Sequence, residues 1–149
     1  MNARRIMLVV GAAGVLVSSY IHYYLYFHGG YRGISIDRVL GLDVSRSFAL
    51  QAISGFVIAW VLVLSVRWTR WATPAAIVGA LFAASSLVAY TLARTSGLLG
   101  FTDDQTSTEA IIAVTSEVVA VVSLATFVVI GLKTRTGPSA AVGAPTVTS

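Results

Sequence analysis

The sequence predicts an all-α membrane protein, an antiparallel bundle of four transmembrane helices, and three observations carry that expectation. Apolar residues gather into four blocks, each close to the ~20 residues that cross a hydrocarbon layer of about 30 Å. Charged residues make up 11% of the chain, well below the roughly 25% of a soluble domain, and mean hydropathy is +0.84. The ten basic residues stand at the ends of the apolar blocks rather than along one stripe. The net charge of +4 is therefore read as membrane orientation and not as nucleic-acid binding.

The first span is expected at 6–27, behind Arg4 and Arg5. Its basic start and apolar middle have the pattern of a signal peptide with small residues at Ser18 and Ser19. The apolar character continues past that point, however, so the segment is read as an uncleaved span. Tyr20, Tyr23, Tyr24, Tyr26, Phe27 and Tyr31 form an aromatic belt at the outer interface. A long connection follows, in which 35–41 has the pattern of a short interfacial helix and Asp43 or Ser45 can cap the next span.

The second span is expected at 48–66. Residues 67–73 then form a basic and aromatic turn, and Pro74, at the first helical position behind a Thr73 cap, opens a third span at 75–92. Thr106, Ser107, Thr108 and Glu109 match the capping-box pattern ahead of a fourth span at 110–132. Residues 1–132 thus form one four-helix domain, and 133–149, rich in small residues, form a disordered tail. Arg4, Arg5, Arg67, Arg70, Lys133 and Arg135 fall on one side of the bundle without acids. Arg32, Arg38, Arg46 and Arg94 fall on the other with Asp37, Asp43, Asp103, Asp104 and Glu109. Six basic residues against four place both termini in the cytoplasm of a plasma membrane.

Glu117 is an acid inside the fourth apolar block, where such groups face a bundle interior or a wet cavity. Residues three, four and seven apart share a helix face, and every span then shows a small or polar stripe. The stripes are Gly11, Ser18, His22 and Leu25; Gln51, Ser54, Gly55, Ile58 and Ser65; Gly79, Ala83, Ser86, Tyr90 and Arg94; and Ala110, Ala113, Glu117, Ala120 and Leu124. His22, Gln51, Tyr90, Arg94 and Glu117 come to similar depth near the outer face and make a candidate polar cluster. Three readings stay open for it: a structural hydrogen-bond network with Arg94 paired to Glu117, a ligand or proton site, and a face for a partner chain.

No catalytic motif appears, and no cofactor or metal ligand set is found. The chain has no cysteine, and the two histidines, His22 and His28, lie in one span and cannot face each other across a haem. Asp103, Asp104 and Glu109 lack the ordered spacing of a calcium loop. The expectation is a non-enzymatic membrane protein in contact with lipid, as an accessory subunit of a complex or a homo-oligomer. The alternatives are a small proton-coupled transporter and a lipid- or quinone-binding protein.

His22, Leu25, Tyr26, Gly29, Gly30, Tyr31, Arg32 and Ile34, then Phe48, Gln51 and Ala52, then Thr95, Gly97, Gly100 and Phe101, form a pattern that resembles small four-span membrane proteins of actinobacteria. That group is broadly similar in size and architecture to DoxX-like proteins. The resemblance covers most of the chain apart from the tail. It implies a bacterial plasma membrane and a four-helix fold, with no established activity. DoxX-like proteins are sometimes associated with redox or quinone metabolism, and the missing cysteines set this chain apart from thiol chemistry.

Overall fold

The computed structural model describes residues 2–34, 43–98, 102 and 107–135. Four helices account for nearly all of them: α1 (Ala3–His28), α2 (Val44–Ser65), α3 (Thr69–Thr95) and α4 (Thr108–Arg135). Each is long and apolar enough to cross a membrane, so the chain is a multi-pass, all-α membrane protein. The expected interfacial helix at 35–41, the acids Asp103 and Asp104, and residues 136–149 of the expected tail lie outside the described residues.

Helix starts are set by side chains that satisfy the otherwise partnerless first amides. Asn2 caps α1 by accepting from the Arg5 amide at 3.0 Å, and Asp43 caps α2 by accepting from the Arg46 amide at 2.8 Å. In α4 that role falls to Ser107, whose Oγ accepts from the Ala110 amide at 3.1 Å. The expected capping box had assigned it to Thr106, which is outside the described residues. Glycine ends α1: Gly29 is its C-cap, and Gly30 takes φ +82°, a conformation that costs glycine nothing.

Two boundaries differ from the sequence expectation. Thr73 and Pro74 do not open α3, because the helix starts at Thr69 with Pro74 inside it. The connection between α2 and α3 therefore shrinks to 66–68. It is closed by tight bonds from the amides of Val66, Arg67 and Trp71 to carbonyls three residues back. Proline is tolerated here because it forfeits only the bond to the Arg70 carbonyl, at the polar end of the helix. At the other boundary α4 continues through Lys133 to Arg135, into what the sequence suggested was tail.

The helices run around the bundle in chain order. Each packs on its neighbours, α4 closes onto α1, and α1 also touches α3 across the middle, while α2 and α4 stay apart. The core is small and tightly keyed. Leu124 of α4, fully buried, fits against Gly11 of α1 and Gly79 of α3, with Leu62 of α2 beside Gly79. At Gly14 the α1 backbone comes so close to α4 that a methyl group would stand 2.6 Å from the Ser116 carbonyl oxygen. Without a hydrophobic drive between helices in lipid, such close approach of small residues is what binds a bundle.

Large apolar side chains, Trp60, Leu81, Ile53 and Val122 among them, point outward, as a lipid solvent requires. At one end the Arg4 guanidinium donates to Thr73 Oγ1 at 3.2 Å and lies 4.4 Å over the Phe127 ring. This contact ties the start of α1 to α3 and α4. Arg67, Arg70 and Lys133 belong to the same basic end.

Candidate binding site

The opposite end, where α1 and α3 finish and α2 and α4 begin, holds a cavity of about 250 Å³. Its walls are mostly apolar: Val44, Phe48, Ala89, Ala93, Leu98, Ala110, Ala113 and Val114. Its polar groups come from all four helices and include His22, Gln51, Ser86, Tyr90 and Glu117. Four of the five residues of the predicted cluster therefore meet around one space. The fifth, Arg94, is not part of the lining; its guanidinium carbon lies 6.0 Å from the Tyr90 ring centre.

Glu117 is the most buried of the polar groups that line the cavity, with 2% of its surface exposed. The stripe Ala113, Glu117, Ala120 and Leu124 turns it inward, and small neighbours one turn away on each side leave room for α1 and α3. Two hydroxyls converge on its Oε1: Ser18 of α1 donates at 2.6 Å and Ser86 of α3 at 2.5 Å. The expected Arg94–Glu117 ion pair is thus not what holds this acid. Short bonds from O–H donors to a carboxylate are among the stronger ones a protein makes, and these cross-link three helices. Ser18 and Ser86 had been placed on the right stripes but not in the cluster. The signal was their spacing, each one helical turn before a residue that was included, His22 and Tyr90.

His22 extends the network outward. Its Nδ1 stands 2.9 Å from the Ser18 carbonyl oxygen, which can only accept, so Nδ1 carries a proton and donates. The same Nδ1 lies 3.4 Å from Ser18 Oγ. Ser18 thus accepts the His22 N–H on its carbonyl and donates its own hydroxyl to Glu117, which ties the three residues together. The His22 ring packs against Phe48 at 5.3 Å, and Phe48 stacks on Tyr31 at 4.3 Å, which forms an aromatic wall on the α1–α2 side. Gln51, on the first turns of α2, has its Nε2 buried with no hydrogen-bond partner among the described residues. A buried amide without a partner is uncommon and marks a place where a ligand group or water can bond.

Comparison of the chain with protein-family models, with curated proteins and with solved structures returns no match. The reading of the site therefore rests on its own chemistry. Among the described residues no three His, Cys, Asp or Glu side chains gather as metal ligands. The arrangement combines an apolar hollow with a few convergent polar groups, the ordinary composition of a small-molecule site.

Proposed function

We propose that this protein is a non-enzymatic, multi-pass protein of a bacterial plasma membrane, with both termini in the cytoplasm, that binds a small amphipathic molecule in the cavity at its outer end. The observation that carries the proposal is the hollow itself. A bundle held by glycine and alanine contacts elsewhere opens, around an inward acid and an amide lacking a bond, into about 250 Å³. A purely structural network gains nothing from such a space, because an unfilled hollow forfeits packing on every side. Apolar walls suit a ligand that arrives from the bilayer, and polar groups at one end suit its head.

The test is extraction of the protein purified in mild detergent, followed by mass spectrometry of co-purifying small molecules. A discrete species is expected with the wild type and not with Ala89→Phe, which fills the cavity from α3. The same lipids in both samples, and nothing else, would overturn the proposal. A second reading, proton-coupled transport, is supported by the buried acid Glu117 and the titratable His22 on one cavity, both bonded to Ser18. Under that reading Glu117→Gln abolishes the pH dependence of flux in reconstituted vesicles, and an unaltered flux rejects it.

A further inference from the structure

The chemical class of the ligand can be read from the balance of charge and shape in the cavity. On the reading that the cavity binds a small molecule, we infer that its ligand is a lipophilic amine, whose protonated nitrogen pairs with Glu117 and whose carbon skeleton lies against Phe48 and Tyr90. Glu117 is an acid buried in a membrane-spanning helix, and its hydrogen-bond partners are two serine hydroxyls rather than a basic side chain. His22, the basic side chain on the same cavity, turns its Nδ1 to the Ser18 carbonyl and makes no hydrogen bond to Glu117. Hydroxyls orient a carboxylate without neutralising it, so a cationic head brings a paired counter-charge. Arg94 lies against Tyr90 instead and does not line the cavity.

The surrounding groups favour an organic cation over other occupants. Phe48, held between Tyr31 and His22, and Tyr90 give the carbon skeleton aromatic walls to lie against. Turning over the Gln51 amide, whose NH2 has no partner among the described residues, presents a carbonyl as a second acceptor. An anionic head would meet Glu117 as a like charge. A bare metal ion would find one carboxylate where it needs several oxygen ligands. The size is also selective, since a dry cavity of about 150 Å³ already holds a benzene ring. The larger space here suits a single ring with a short aminoalkyl chain.

The experiment compares 4-phenylbutylamine with 4-phenylbutan-1-ol, which have the same skeleton and differ in charge. Binding is measured by calorimetry to the full chain in nanodiscs of uncharged phosphatidylcholine, with empty discs subtracted. The wild type is expected to bind the amine about tenfold or more tightly than the alcohol. Glu117→Gln should erase that preference, and Ala89→Phe should remove binding of both. Equal binding of the two compounds by the wild type would overturn the amine inference and leave the pocket reading standing. Binding of neither, or binding of both that survives Ala89→Phe, would overturn the pocket reading as well. A preference for the amine that persists in Glu117→Gln would show that Glu117 is not its partner.

Discussion

At the scale of single residues, one carboxyl oxygen gathers two hydroxyl bonds, and the arrangement makes the contributions of Ser18 and Ser86 interdependent. Removing one hydroxyl leaves Glu117 with the other, so Ser18→Ala and Ser86→Ala should each cost about 1 kcal/mol. Removing both leaves a buried acid without a donor, a heavier penalty of several kcal/mol. A double-mutant cycle read by unfolding in mixed micelles should therefore exceed additivity, and strict additivity would mean that the serines do not share one oxygen. Glu117→Leu separates function from structure. Its apolar side chain needs no partner, and the freed serines can turn to carbonyls of their own helices, as Ser19 already does toward Val15. An acid kept for binding predicts equal or higher thermal stability for this variant, whereas an acid kept for the fold predicts a loss of several degrees.

At the scale of helices, the glycines divide by what stands opposite them. A methyl group at Gly14 meets the Ser116 carbonyl oxygen, which belongs to the α4 backbone and cannot turn aside. At Gly131 the nearest atoms are those of the Arg4 guanidinium, a long side chain that can shift, although a large shift gives up its bond to Thr73 and its contact with Phe127. Gly14→Ala is expected to cost about 1–3 kcal/mol through parting of α1 and α4. Gly131→Ala should cost less, because better helix propensity, worth about 0.5–1 kcal/mol, offsets the displaced Arg4 contacts. Thermal unfolding of the two variants side by side checks the contrast. The same packing explains which faces were legible in the sequence. In α1, α3 and α4 the inner parts of the periodic stripes of small residues are buried: Gly11 and Ser18; Gly79, Ala83 and Ser86; and Ala113, Glu117, Ala120 and Leu124. In α2 the buried residues are Val44, Ala52, Gly55, Ala59, Leu62 and Ser65, so of the predicted stripe of Gln51, Ser54, Gly55, Ile58 and Ser65 only Gly55 and Ser65 are buried. Most of the packing of α2 is on α1 and less on α3, a preference that polarity did not display, and Gln51 and Ile58 come to rest half-buried. The start of α3 was illegible for another reason. A local preference of proline for first turns was outweighed by the bond from the Trp71 amide to the Trp68 carbonyl, which a sequence does not display.

At the scale of the whole molecule, the bundle has two chemically distinct ends, and its function depends on which faces which compartment. Arg4, Arg67, Arg70 and Lys133 mark one end, and the cavity with its aromatic collar marks the other. Four antiparallel spans put the start of α1 and the end of α4 together, which the contact of Arg4 with Gly131 makes concrete. Basic residues resist translocation, so the basic end should stay in the cytoplasm and the cavity should open near the outer leaflet. The chain lends itself to a direct test because it contains no cysteine. Gly30→Cys lies just beyond α1 at the cavity end, and Arg70→Cys lies at the basic end on the first turn of α3. A membrane-impermeant maleimide applied to intact cells should label the cysteine at 30 and spare the one at 70, with both labelled once the cells are opened. The reverse pattern would turn the molecule over. The cavity would then draw its ligand from the inner leaflet, and the bias of six basic residues against four would have been too weak to set the orientation.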